Sequence, residues 1–274
     1  MPDSLIYSNN HKNYSNDSSS HPHSRIPANH PRAGSLLIRN MLVDGYKRGL
    51  VVSEGLIAHG RGEAFDYLLG EKTSNIAHIA IEAASSALML ARYPVISVNG
   101  NIAALCAKTV VELSHWIGAK IEVNLFYRTL RRERIIKREL KCFGAKEILG
   151  MSLKSTAVIP ELQSERRRVD PSGIMKADTV LVPLEDGDRT EALVKMGKTV
   201  VAIDLNPMSR TARSANITIV DNAIRAIPKM IMTVKKLRGL KQEQREEIMK
   251  RIVKEFDNPK NLLESLSVMR GNLA

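Results

Sequence analysis

The segment from Asp204 to Ala212 carries the densest set of groups that could bind a nucleotide. It follows the apolar run 199–203, which predicts a buried parallel strand that Asp-x-Asn-Pro ends abruptly. Ligands of open α/β sheets bind at the carboxyl ends of strands. Here a carboxylate, an amide, hydroxyls, a guanidinium and a helix start suit ribose hydroxyls and phosphates. An Asx-type turn that caps an ordinary helix explains the same residues equally well.

A second polar segment, Asn99-Gly100-Asn101, follows a strand predicted at 95–98. Glycine allows the backbone to approach a ligand closely, and the amides could meet a phosphate or a substrate carboxylate. Neither this loop nor the segment 59–63 has the G-x-G-x-x-G fingerprint, and the chain has no Walker A sequence. These absences argue against a nicotinamide-dependent dehydrogenase and against a P-loop enzyme.

Three carboxylates, Glu185, Asp186 and Asp188, follow the strand predicted at 179–183. They suit Mg²⁺, which prefers oxygen ligands, and they also suit the capture of a cationic amine. Capping of the helix that starts near Arg189 is the alternative, because acidic residues favour helix N-termini. The two interpretations are compatible.

The segment from His59 to Tyr67 gathers charged side chains around two glycines, and we interpret it as a functional loop. Arg61 could clamp a phosphate with two hydrogen bonds, and Glu63 could hold a metal or an ammonium group. The alternative is a loop whose charges pair with one another.

Further arginines are ambiguous. Arg32, where the polar N-terminus meets the first helix, could fold over an anion or belong to a simple turn. The basic run 128–138 permits nucleic-acid binding, but no aromatic stacking residues interleave it, which favours a solvated helix face. Arg166 and Arg167 belong to three adjacent arginines, of which at most one or two can face a site from a helix.

The elements that position these groups follow from apolar spacing. Strands are predicted at 95–98, 120–126, 146–149, 179–183, 199–203 and 217–220. Helices are predicted at 34–50, 53–69, 73–92, 102–117, 129–143, 161–168, 189–197 and 222–238. A further helix is predicted to start at 209–214, and the last 35 residues are predicted to be helical. This alternation predicts an α/β fold, a Rossmann-like, three-layer, mainly parallel sheet with flanking N- and C-terminal helices.

The bulk composition sets the limits of function. The 274 residues are 43% apolar but only 4% aromatic, which predicts an aliphatic core. The net charge of +12 permits nucleic acid, an anionic membrane surface or phosphorylated small molecules as partners. Cys106 and Cys142, in helical patterns, indicate a reducing compartment. Without a signal peptide or an apolar run of about 18 residues, we expect a soluble, cytoplasmic protein with no membrane partner.

The domain organisation follows from the same patterns. Residues 1–28 are rich in Ser, Asn and His, and we expect a disordered polar tail, although His11, His21 and His23 permit a metal-binding tract. Residues 29–274 are predicted to form a single catalytic α/β domain. It comprises a helical N-terminal part at 34–93, a Rossmann-like core at about 94–230 and a helical C-terminal extension at 231–274.

Several long strings together resemble the archaeal-type phosphopantothenate synthetase family, also called 4-phosphopantoate–β-alanine ligase. They are HPR at 30–32, GLIAHGRGEAFDYLLGE at 55–71, PVISVNGNIAAL at 94–105, IEVNLFYRT at 121–129, VLVPLEDGDRTEAL at 180–193, AIDLNPMSRTARSANITIVDN at 202–222 and Arg225-Ala226. The likeness runs from about Ile26 to Leu237, outside the tail and the last helices.

The resemblance implies a Rossmann-like homodimer that joins 4-phosphopantoate to β-alanine with ATP, releasing AMP and diphosphate through a phosphopantoyl adenylate in coenzyme A biosynthesis. Nucleic acid is not an expected partner. The family's ATP contacts correspond to Arg32, Asp204, Leu205, Asn206, Arg210, Thr211, Asn222 and Ala223, with Arg39 or Arg61 as a further candidate. For the phosphopantoate end we expect Arg61, Asn99, Asn101, Arg166 and Arg167. Asp186 and Asp188 are the candidates for Mg²⁺ or the β-alanine amine.

Overall fold

The computed structural model describes residues 27, 29–30, 32–151 and 157–272. Nearly all of the predicted tail at 1–28, including His11, His21 and His23, lies outside the described residues, so its prediction stays open. Three helices come first within the described part, and strands and helices then alternate. The helices are α1 (Ala33–Lys47), α2 (Ser53–Leu68), α3 (Asn75–Leu90), α4 (Gly100–Ile117), α5 (Leu130–Cys142), α6 (Gly187–Lys195), α7 (Arg210–Ser214), α8 (Ala223–Arg238), α9 (Gln242–Glu255) and α10 (Asn258–Gly271).

Eight strands lie between these helices. They are β1 (Pro94–Val98), β2 (Lys120–Val123), β3 (Ile148–Leu149), β4 (Ala157–Val158), β5 (Arg168–Val169), β6 (Thr179–Pro183), β7 (Thr199–Ile203) and β8 (Ile217–Ile219). Six of them form one parallel sheet in the order β3-β2-β1-β6-β7-β8. The chain adds strands on one side of β1 and then returns to add strands on the other. The order therefore reverses between β1 and β6.

Alternate residues of the strands point into two separate apolar layers. Leu181 packs with α1, α3, α4 and α8, whereas Val180 and Val182 pack with α6 and the segment 157–177. This period of two, with helices on the first face and mixed structure on the second, confirms the predicted three-layer α/β fold. The sheet's long apolar runs reflect burial on both faces.

Two local predictions were wrong. The helix predicted at 161–168 is absent. These residues form instead the connection between the antiparallel strands β4 and β5, with a short 3₁₀ turn at Glu165–Arg167, and only Arg168 belongs to a strand. Burial of Ile159 and Leu162 against the sheet overrides the local helical pattern. The segment from His59 to Tyr67 is not a loop, because α2 continues through both of its glycines and confirms the helix predicted at 53–69.

The C-terminal helices α9 and α10 confirm the predicted helical ending, and α10 is attached to the sheet by buried amides. Asn258 accepts a hydrogen bond from the N–H of Thr218 and donates to the carbonyls of Ala212 and Ala215. Asn261 donates to the carbonyl of Thr218. None of the helices in the described ranges is both long enough and apolar enough to cross a membrane.

Candidate functional site

A cavity of about 820 Å³ opens at the carboxyl ends of the central strands. Helix α2 lines it together with the segments that follow β1, β2, β6 and β7, and with the residue before α8. Since the strand order reverses between β1 and β6, the cavity lies at the topological switch point of the sheet, where open α/β proteins bind ligands.

The cavity brings together most of the side chains predicted from the sequence. Its lining includes Arg61, Asn99, Asn101, Arg166, Asp186, Asp204, Leu205, Asn206, Arg210, Thr211 and Asn222. Five other predicted residues lie outside this lining: Arg32, Arg39, Arg167, Asp188 and Ala223. The residues expected for a nucleotide lie mainly beyond β7. Of those expected for the phosphorylated acid, Asn99 and Asn101 lie beyond β1, Arg61 lies on α2, and Arg166 lies in the 3₁₀ turn before β5.

The segment after β7 is both a capped turn and a cavity wall. Asp204 accepts the N–H of Asn206 and the hydroxyl of Ser209, at 2.9 and 2.5 Å, and Asn206 accepts the N–H of Met208. Ser209 caps α7. Burial raises the pKa of the Asp204 carboxyl, and the bonds from Ser209 and Asn206 oppose that rise. The capped turn predicted as the alternative is therefore present, the same segment lines the cavity, and a nucleotide at this segment stays a prediction.

Asn222 is held in place by a buried charged network. Its Oδ1 caps α8, and its Nδ2 donates to Asp66 at 3.0 Å. Arg225 binds both Asp66 and Asp221, and Thr73 donates to Asp221. Burial lowers the pKa of Arg225, but the two carboxylates outweigh burial and leave that pKa raised. Ala223, the first residue of α8, is buried.

The predicted substrate residues after β1 already make structural hydrogen bonds. Asn99 caps α4 through Oδ1 and donates through Nδ2 to the carbonyls of Pro183 and Leu184. Asn101 donates to the carbonyl of Gly55 and thereby joins α4 to α2. Both asparagines set the positions of neighbouring segments as well as facing the cavity.

An arginine–carboxylate cluster forms the wall after β6. Arg166, which is 7% exposed, binds Asp186 at 2.8 Å and also contacts Glu185. The fully buried Arg189 binds Glu185 and Ser97. Burial lowers the pKa of each arginine to about 10. The Nε atom of Arg166 is buried and has no hydrogen-bond partner among the described residues.

The two metal candidates have different surroundings. Asp186 lies on the cavity wall, whereas Asp188 is exposed and accepts the N–H of Arg189. Across the described ranges, no group of three or more His, Cys, Asp and Glu side chains could hold a metal. A nucleotide-bound Mg²⁺ usually takes only one or two protein carboxylates and completes its shell with phosphates and water. Of these two candidates, Asp186 is the one that lines the cavity and fits that limited role.

The charges at the outer end of α2 pair with one another, as the alternative for this segment predicted. Arg39 binds both oxygens of Glu63 at 2.9 Å, and Tyr67 donates to the same carboxylate. Arg32 donates to the Tyr67 hydroxyl at 2.7 Å. Burial raises the pKa of Glu63, but hydrogen bonds from Arg39 and Tyr67 outweigh burial and leave that pKa lowered. Arg61 alone of these arginines lines the cavity.

Sequence reasoning gave no role to two residues that line the cavity, His59 and Arg132. Arg132, on α5, donates to the carbonyls of Leu50 and Tyr127. The helical spacing of Gly55, His59 and Gly62 was the available signal, because residues three and four apart share one helix face. Interpreting the glycines as a loop hid that spacing.

Comparisons with known proteins agree along most of the chain. A family model described as phosphopantothenate/pantothenate synthetase matches residues 76–272. The protein named 4-phosphopantoate–β-alanine ligase of Thermococcus kodakarensis is 54% identical, over 90% of this chain and 93% of its own length. Proteins with the same name from Methanosarcina mazei and Methanospirillum hungatei are 50% and 48% identical, over 90% and 74% of this chain and 95% and 82% of their own lengths.

Proposed function

The chain belongs to the phosphopantothenate/pantothenate synthetase family, and we propose from this premise that it ligates 4-phosphopantoate to β-alanine. It is an amide-forming ligase that serves coenzyme A biosynthesis. In our proposal it consumes ATP and releases AMP and diphosphate through a phosphopantoyl adenylate.

One structural observation supports the proposed reaction independently of the names of the relatives. The cavity has a polar segment for a nucleotide beyond β7 and a second set of polar groups beyond β1 and β6, in one continuous space. A ligase that makes an adenylate must hold ATP beside the acid, because the acid's carboxylate attacks the α-phosphate. The arrangement at the switch point supports that juxtaposition.

The chemistry needs positioning and charge compensation more than a nucleophilic side chain. The carboxylate of 4-phosphopantoate forms a bond to the α-phosphorus, and the bond to diphosphate breaks. The amine of β-alanine then attacks the acyl carbon, and AMP leaves. Arg61, Arg132, Arg166 and Arg210, which line the cavity, supply positive charge for these anionic groups.

We assign the nucleotide to the wall formed by Asp204, Leu205, Asn206, Arg210, Thr211 and Asn222. Ala223 would contribute its backbone at the start of α8. Arg32 and Arg39 would have to leave Tyr67 and Glu63 to reach the nucleotide, because they are bound to those residues at the outer end of α2. Arg61, Asn99, Asn101 and Arg166 form the wall for 4-phosphopantoate, and Arg167 belongs to the adjoining segment.

Mg²⁺ would enter with the nucleotide and neutralise phosphate charge, and Asp186 on the cavity wall would be the protein carboxylate that holds it, whereas Asp188 lies outside the cavity lining. The family resemblance supports a homodimer. The two free cysteines support a reducing compartment, such as the cytoplasm.

The test is a reaction that contains the purified protein, ATP, Mg²⁺, 4-phosphopantoate and β-alanine. We expect AMP, diphosphate and 4′-phosphopantothenate in equal amounts, and no AMP when either co-substrate is omitted. Formation of ADP instead of AMP would indicate that the reaction proceeds through an acyl phosphate and not through an adenylate. No consumption of ATP in the complete mixture would contradict the proposed function.

A further inference from the structure

His59 lies on the part of α2 that lines the cavity. Four residues before it, Gly55 packs so closely on α4 that a Cβ there would collide with the side-chain oxygen of Asn101. Three residues after it, a Cβ at Gly62 would lie 3.5 Å from Leu205, which follows β7. His59 therefore lies on the same face of α2, between the acid end and the nucleotide end of the cavity.

The surroundings of His59 favour the uncharged form of its imidazole. Burial lowers the pKa of His59; Glu63 and Asp66 on α2 oppose this effect, and Arg39 on α1 adds to it. The Nε2 atom is buried and has no hydrogen-bond partner among the described residues. A neutral imidazole with an unpaired nitrogen can accept a proton.

The carboxylates that line the same cavity are already engaged. Asp204 accepts from Ser209, Asp186 accepts from Arg166, and Glu185 is bound by Arg166 and Arg189. Glu54 accepts from the hydroxyl of Ser53. Each of these acids thus accepts a hydrogen bond or an ion pair from a protein group, whereas the buried Nε2 atom of His59 has no hydrogen-bond partner among the described residues.

We propose that His59 is the base that takes a proton from the ammonium group of β-alanine, an inference that rests on the proposed function. The ammonium nitrogen gives one proton to the imidazole, and its freed electron pair forms the bond to the acyl carbon of the adenylate. The carbon–oxygen bond to phosphate breaks, and its electron pair leaves on AMP. The second proton lost by the nitrogen passes to water, as does the proton on His59 before the next turnover.

The first experiment compares His59→Gln with His78→Gln, which removes an exposed histidine of α3. Exchange of labelled diphosphate into ATP, with 4-phosphopantoate and without β-alanine, reports adenylate formation alone. We expect His59→Gln to keep exchange within about threefold of the unchanged protein and to lose roughly 100-fold or more in the rate of amide formation. His78→Gln should keep both rates.

The second experiment replaces β-alanine by hydroxylamine, which is already uncharged at neutral pH and needs no base before it attacks. His59→Gln should form the hydroxamate about as fast as the unchanged protein. Its deficit with β-alanine should also shrink as the pH rises past about 9, where more of the amine is free. This recovery within one variant separates a chemical role from a folding defect.

The outcomes separate the two proposals. Absence of exchange in the unchanged protein would contradict the proposed function itself. If the unchanged protein shows normal exchange but His59→Gln loses exchange and ligation equally, the role of His59 as this base is overturned. Full ligation by His59→Gln, or a loss that hydroxylamine does not relieve, would overturn it as well.

Discussion

The side-chain Nδ2 of Asn99 lies 2.9 Å from the carbonyl oxygen of Leu184, and this bond joins the ends of β1 and β6 at the switch point. Leu184 has a φ of 53°, a left-handed conformation that is unfavourable for leucine. Its N–H also donates to the carbonyl of Ile203. The segment that leads to Glu185 and Asp186 is therefore held from both neighbouring strands.

Asn99→Ala should lower both stability and ligation. It removes the cap of α4 and leaves two carbonyls without their donor, so we expect the free energy of unfolding to fall by about 2 kcal/mol or more. Urea denaturation measures this change. Asn99→Asp keeps an acceptor for the cap but cannot donate to Leu184, so it should retain more stability and still lose activity. Full activity of Asn99→Asp would contradict the importance of the bond.

Two glycines of α2 should respond in opposite directions to alanine. A Cβ at Gly60 would have no neighbour within 4 Å, so Gly60→Ala should stabilise the helix by up to about 1 kcal/mol. A Cβ at Gly55 would collide with Asn101, so Gly55→Ala should cost about 1–3 kcal/mol and reduce ligation. Thermal denaturation and AMP release measure both effects. Equal behaviour of the two variants would show that α2 does not pack on α4 in this way.

Glu122 should make stability depend on pH. Burial raises its pKa to about 7, although it accepts the backbone N–H groups of Asp170 and Ile174. A carboxyl whose pKa is higher in the folded than in the unfolded state stabilises the fold below its unfolded pKa. That contribution is lost as the pH rises through its folded pKa.

The contribution of Glu122 to the free energy of unfolding should accordingly decline between about pH 5 and about pH 8. Urea denaturation across that range should show a smaller decline for Glu122→Gln than for the unchanged protein. Glu112→Gln, at a partly exposed position, is the control. Identical pH profiles for the unchanged protein and Glu122→Gln would contradict the raised pKa.

Arg210→Gln should weaken nucleotide binding and leave the fold intact. Arg210 is 59% exposed at the cavity wall, and its bond to Glu191 is a surface ion pair that contributes little to stability. If Arg210 binds phosphates, the KM for ATP should rise about tenfold or more, since charge-assisted hydrogen bonds to phosphate are lost. Arg213→Gln, on the same helix but outside the cavity lining, should leave the KM unchanged. An unchanged KM in Arg210→Gln would remove Arg210 from the nucleotide site.

Much of the architecture could be predicted from local patterns. Apolar runs such as 199–203 are long because parallel strands are buried on both faces, and the polar residues after them indicate strand ends. Parallel strands bring those ends to one edge, so Asn99, Asp186 and Asp204 could be expected at the same edge of the sheet. That they line one cavity depends on β1, β6 and β7 being neighbours in the sheet.

Tertiary structure decided the features that depend on distant packing. Burial of Ile159 and Leu162 made the predicted helix at 161–168 the connection between the antiparallel strands β4 and β5. The approach of α2 to Asn101 and Leu205 gave its glycines a packing role, because close contact of backbones leaves no room for a Cβ. It also placed His59 over the cavity.

The sequence by itself determined the alternation of strands and helices and the chemistry at the strand ends, because both depend on residues close together in the chain. The tertiary structure alone decided which charges remain free for a ligand. Arg39 and Glu63 are 24 positions apart yet neutralise each other, whereas Arg61 faces the cavity. Such pairings depend on how two helices pack, and local spacing carries no information about that geometry.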